Sequence, residues 1–132
     1  MLNAGVIGMG IGEKHALAYQ NHRNTNLKTI CDFDNDKSKK LNTKFPNVSI
    51  ENKCQTILEN DDINIVSIAS YDNFHISQIV KALESGKHVM SEKPLCLNRS
   101  EMLEIYKIHK QNPESKISSN LVLRTNSRFK KL

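Results

Sequence analysis

Three glycines fall within five residues in Gly8-Met9-Gly10-Ile11-Gly12, and a carboxylate, Asp32, follows 20 residues after the last of them. Glycines at a strand-to-helix turn let the backbone come close to a phosphate. The helix that follows then offers it free N–H groups and a positive dipole end. An acid closing the next strand accepts hydrogen bonds from ribose hydroxyls and repels a 2′-phosphate. The pattern therefore implies a dinucleotide site that prefers NAD to NADP. Its candidate contacts are Gly8, Gly10, Ile11, Gly12 and Asp32, and Lys37, Lys39 and Lys40 close by weaken the NAD preference.

The third glycine departs from the dinucleotide fingerprint. G-x-G-x-x-G would place it at position 13, where this chain has Glu13. The spacing here, G-x-G-x-G, is that of S-adenosylmethionine-dependent methyltransferases, which also use an acid after the second strand. Those enzymes usually carry another acid two residues before the first glycine, where this chain has Val6. Taken alone, the turn leaves both readings open.

Such a turn needs a strand ending at it and a helix starting from it. Short β-branched runs bounded by Gly, Asn or Asp predict strands at Asn3–Ile7, Leu27–Asp32, Val48–Ile50, Ile63–Ser70, His88–Ser91 and Lys116–Val122. Amphipathic runs between them predict helices at Glu13–His22, Asp36–Phe45, Cys54–Glu59, Phe74–Glu84 and Arg99–Lys110. Asn98 and Glu101 form an N-terminal cap for the last helix, with Met102, Ile105, Tyr106 and His109 on one expected apolar face. In the Phe74–Glu84 helix, Ile76, Ile79, Val80 and Leu83 have helical spacing. Alternation of strands and helices at these lengths implies an α/β fold: a Rossmann-type, doubly wound parallel sheet in three layers.

Composition narrows the function classes. With 132 residues the chain has room for one domain, and its 25% charged and 38% hydrophobic content is that of a globular protein. No apolar run nears the ~20 residues of a membrane span, and no signal peptide pattern opens the chain, so no membrane partner and a cytoplasmic location are expected. Cys31, Cys54 and Cys96 form no C-x-x-C pair and are expected to fill small apolar spaces; no metal site is expected. The formal net charge is +5, but residues 1–114 carry 14 basic and 14 acidic groups. The excess is Lys116, Arg124, Arg128, Lys130 and Lys131, so no basic face, and no nucleic-acid partner, is implied.

The stretch Ala82-Leu83-Glu84-Ser85-Gly86-Lys87-His88-Val89-Met90-Ser91-Glu92-Lys93-Pro94-Leu95 resembles the hallmark of the glucose–fructose oxidoreductase/inositol dehydrogenase (Gfo/Idh/MocA) family. Ser67 to His75 looks like that family's fourth-strand end. Gly8 to His15 resembles its glycine turn with one residue deleted, and Asn120 to Phe129 its strand crossing into a second domain. The resemblance implies that Lys93 is the catalytic lysine on the substrate side and also contacts the cofactor. There an ammonium can hydrogen-bond a hydroxyl or carbonyl and stabilise negative charge during hydride transfer. It places Glu92 near the nicotinamide, and Ser70, Tyr71 and His75 beside the cofactor, although Tyr71 and Asp72 replace the family's usual Pro and Asn. His15 is expected to be structural.

The resemblance also implies a division at residue 120. Residues 1–120 would form the dinucleotide-binding domain, and 121–132 the start of a connection to a substrate domain lying outside this chain. That second domain would hold most of the pocket, supply an Asp and a His, and form homo-oligomers through its sheet. The expected protein is an NAD(P)-dependent oxidoreductase, NAD preferred, acting on a sugar, cyclitol or nucleotide sugar, and inactive as these 132 residues alone. Its alternative within the same fold is a non-catalytic dinucleotide-binding regulator.

Overall fold

The first strand, β1 (Leu2–Ile7), is buried at four successive positions, which places it inside a sheet covered on both faces. Ala4 and Val6 point to one layer, while Gly5 and Ile7 point to the other. The structure, a computed structural model, describes residues 1–130; Lys131, Leu132 and the side chains of Ser38 and Lys39 lie outside the described residues.

Elements follow in strict alternation: α1 (Gly12–Asn21), β2 (Thr25–Cys31), α2 (Asn35–Lys44), β3 (Ser49–Glu51), α3 (Gln55–Leu58), β4 (Ile65–Ile68), α4 (Asp72–Glu84), β5 (His88–Ser91), α5 (Arg99–Gln111) and β6 (Ile117–Ser119). A short 3-10 helix covers Val122–Thr125. The six strands form one sheet in the order β3-β2-β1-β4-β5-β6, and every pair is parallel. This is the expected doubly wound Rossmann arrangement. Strand order reverses between β1 and β4, and ligands bind such folds at the carboxyl ends of the strands beside that switch point.

Two apolar layers hold the helices on. Val6, Leu27, Ile30, Leu41 and Phe45 lie under α1 and α2, while Ile57, Ile68, Ile79, Leu83, Val89 and Ile105 lie under α3, α4 and α5. Each fully buried side chain of this size contributes about 1.5–3 kcal/mol. Cys31 is buried, and Cys54 and Cys96 pack against the same core as free thiols, in keeping with the space-filling role expected of them. At the amino edge of the sheet, Lys87 is 2% exposed and donates from Nζ to the carbonyls of Asn60 at 2.8 Å and Ile63 at 3.1 Å. Burial lowers its pKa, with Asp61 pulling the other way.

The face of α5 differs from expectation. Ile105 is buried and Ile108 packs on the core, but Met102 and Tyr106 are exposed. Helical spacing permits two overlapping stripes through Ile105. Contact with α4 selects the narrower stripe, and Tyr106 instead carries the Lys110 ammonium 5.1 Å above its ring. On the α1 side, the sheet face over β5 and β6 bears an open groove of about 650 Å³ lined by Ile65, His88, Met90 and Ser118.

Candidate functional site

The turn after β1 uses each of its glycines differently. Gly8 has φ +88°, and a Cβ there would come within 2.3 Å of the Ala69 carbonyl oxygen, so only glycine lets β1 and β4 end side by side. At Gly12 a Cβ would stand 3.0 Å from Val6 and 3.1 Å from Ala69, which means this glycine seats α1 closely on the sheet. That close packing is the work of the third glycine in the longer fingerprint. Glu13 takes no part in it and pairs with Lys44 on α2. Gly10 is the opposite case, with nothing within 4 Å of where a Cβ would stand.

That space opens into a cavity of about 330 Å³ at the carboxyl ends of β1, β2 and β4. Gly8, Gly10, Asp32, Ser70 and Tyr71 line it, all of them residues expected to contact a cofactor. Asp32 is 5% exposed and also ties the loops together. Its Oδ2 accepts from the Met9 N–H at 2.8 Å and its Oδ1 from the Asp34 N–H at 2.9 Å. The carboxylate therefore fixes the shape of the glycine turn as well as facing the cavity. Lys37 Nζ lies 3.3 Å from Oδ2 and partly balances its charge. The Cys31 thiol on the cavity wall is pushed up to about 12 by burial, then by the neighbouring Cys54, Asp32 and Glu51, so it stays protonated.

Two further aromatic side chains border the cavity, and sequence reasoning had not singled them out. Phe33 is 67% exposed, and its ring centroid lies 5.9 Å from that of Tyr71; Phe74 stands beside them. The available signal was an aromatic residue directly after the strand-closing acid. Large exposed rings at a cavity mouth offer a flat apolar surface to a planar ring system.

The remaining candidate residues gather at a second turn, after β5. Lys93 is exposed there, and its bond to Pro94 is cis. Glu92 takes two side-chain donors on one oxygen, His15 Nε2 at 2.9 Å and Asn120 Nδ2 at 2.7 Å. Burial pushes the Glu92 carboxyl up, but hydrogen bonds from Asn120, His15 and the Lys93 backbone outweigh it and hold the pKa below the usual range.

His75 does not face the cavity. It is 1% exposed, with Nδ1 2.7 Å from the Pro94 carbonyl and Nε2 3.1 Å from the Ser70 carbonyl. A carbonyl oxygen lies beside each ring nitrogen, so His75 braces the two turns from behind in place of the expected cofactor contact. Ser70 has its hydroxyl bonded to Gln78 at 2.7 Å. Ile11 is 45% exposed and lies on the side of the turn facing the large groove. Among the described residues, no group of three or more His, Cys, Asp or Glu side chains could hold a metal, and no helix is long and apolar enough to cross a membrane.

The family described as an oxidoreductase family with an NAD-binding Rossmann fold, Gfo/Idh/MocA, matches residues 2–118. The chain belongs to this family. An uncharacterised oxidoreductase of Synechocystis is 32% identical over 83% of this chain and 30% of its own length. The D-glucoside 3-dehydrogenase of Escherichia coli is 31% identical over 79% of this chain and likewise 30% of its own. Among solved structures, myo-inositol 2-dehydrogenase from Lactobacillus plantarum superposes with a TM-score of 0.88 at 25% identity, covering 98% of this chain and 39% of the other. The chain thus spans about a third of the length of the curated relatives it matches. Family membership, with Gly12 doing the packing of the fingerprint's third glycine, sets aside the methyltransferase reading that the G-x-G-x-G spacing had left open.

Proposed function

We propose that this chain is the cofactor-binding part of an NAD-dependent dehydrogenase that interconverts an alcohol and a carbonyl on a sugar or cyclitol. The observation that carries the reading is the open space at Gly10, beside a φ-positive Gly8 and a buried Asp32, at the sheet's switch point. These residues fit a dinucleotide. The bare turn can approach a pyrophosphate, the start of α1 offers N–H donors, and Asp32 retains lone pairs for ribose hydroxyls. Phe33 and Tyr71 supply apolar cover for a flat base. When bound, NAD supplies a hydride acceptor.

The chain's own chemistry then rests on Lys93. Its ammonium, free in solvent at the same edge, hydrogen-bonds the substrate oxygen and stabilises the negative charge that builds there. Glu92 stays ionised beside it. Names of relatives favour sugars and cyclitols as substrates, namely D-glucoside 3-dehydrogenase and myo-inositol 2-dehydrogenase. Asp32 favours NAD over NADP by repulsion of a 2′-phosphate, although Lys37 softens that preference. The chain matches about a third of its relatives' length, so these 132 residues are expected to bind NADH without turnover.

Fluorescence titration with NADH and NADPH tests the reading. Saturable NADH binding, tighter than NADPH, is expected, and D32S is expected to narrow or invert that preference. Absence of saturable binding at millimolar NADH defeats the proposal.

A further inference from the structure

Three side chains from three separate elements meet at one carboxylate oxygen. His15 lies on the first turn of α1, directly after the glycine turn; Glu92 follows β5 and Asn120 follows β6. The His15 and Glu92 side chains are 11% and 12% exposed, so the pair is largely withdrawn from water. Backbone bonds fix the base of two partners, since Glu92 N–H donates to the Ile68 carbonyl at 2.8 Å and Asn120 N–H to the Ser91 carbonyl at 2.8 Å, and His15 is held within α1. An ionised carboxylate only accepts, so the proton in the His15 contact sits on Nε2. Charge-assisted bonds of this kind are stronger than neutral ones and sensitive to geometry.

The position of this contact gives it a consequence. On one side it reaches the helix that follows the phosphate-binding glycines. On the other it holds the residue adjoining Lys93, while His75 holds the Pro94 carbonyl beyond. Lys93 is thereby flanked by two anchored neighbours, and its own side chain stays exposed. His15 is the only one of these anchors that belongs to α1, and its partner is 77 residues away in sequence.

We infer that His15 is a positioning residue: by bonding Glu92 it fixes the spacing between the glycine turn and the Glu92–Lys93 turn, so that a dinucleotide crossing both meets a preset edge. The inference rests on the dinucleotide reading. With the bond removed, the two turns must be ordered by the cofactor itself, and that cost appears as lost affinity.

The test is NADH titration of the full 132-residue chain with wild-type, H15A, H15Q, E92A and H15A/E92A proteins, each checked by thermal melting. H15A is expected to weaken NADH binding about tenfold. H15Q, whose amide nitrogen reaches the place of Nε2, is expected to stay within about twofold of wild type. H15A is expected to cost nothing further once Glu92 is already alanine. H15F, which keeps a ring but has no donor, repeats the comparison in case H15A unfolds. Wild-type affinity in the folded H15A or H15F protein overturns the inference, as does a full tenfold loss in the E92A background. A wild-type chain that binds no NADH instead removes the dinucleotide reading, and the inference with it.

Discussion

The glycine turn after β1 and the lysine turn after β5 lie at the same edge of the sheet, and they are built in opposite ways. The first is shaped by the absence of side chains: Gly8 admits the Ala69 carbonyl, Gly12 admits α1, and Gly10 leaves open space. The second is shaped by side chains brought from afar, with His75 from α4, His15 from α1 and Asn120 from beyond β6 all bonded to it. On the proposed function, the turn that accepts a bulky ligand is cleared, whereas the turn that presents Lys93 is braced. Asp32 belongs to both plans, since it pins the cleared turn through Met9 while facing the cavity it opens.

The sharpest way to break this contrast is at Gly8. G8A puts a side chain at φ +88° and a Cβ against backbone, and is expected to cost more than about 3 kcal/mol in urea denaturation. An effect below about 1 kcal/mol would show that the turn can relax away from Ala69. On the braced side, H75A removes the buried ring that faces both the Pro94 and Ser70 carbonyls and is expected to cost about 2–3 kcal/mol by the same measurement.

Gly10 separates space for a ligand from space for the fold. G10A is expected to change stability by less than about 0.5 kcal/mol, because the site is open, yet to weaken NADH binding about tenfold. Loss of stability without loss of binding would reverse the roles assigned to Gly8 and Gly10. The smallest expected effect concerns pH. The Glu92 pKa is held below its ordinary value in the folded state, so its contribution is complete above the unfolded value and is lost as pH falls through the folded one. The urea midpoint of wild type is expected to drop more steeply than that of E92Q between about pH 5 and pH 3. Parallel curves would show that His15 and Asn120 do not favour the ionised form.

Much of this is legible in the residues because it is local. A strand running into glycines and an acid closing the next strand are visible at Gly8–Gly12 and Asp32, and β5 has the bounds, His88–Ser91, that its residues predict. Strand ends elsewhere are harder: β4 covers Ile65–Ile68 within a predicted Ile63–Ser70, because apolar residues continue past the last ladder partner. The face of α5 departs from its spacing at Met102 and Tyr106, since spacing offers two stripes and only the neighbouring helix selects one. Phe33 gives little warning in sequence, because an exposed aromatic acquires meaning only when Tyr71 and a cavity lie beside it.

Sequence alone determined the doubly wound sheet and the glycine turn, because periodicity and glycine act over a few residues, and the resemblance of Ala82–Leu95 to a family hallmark pointed to the lysine-bearing turn. Only the tertiary structure decided what Glu92, His15, His75 and Asn120 do. The bonds to Glu92 and Pro94 join residues distant in sequence, His15 to Glu92 most of all, and the sheet order that brings α1, β5 and β6 to one edge is written in no single segment.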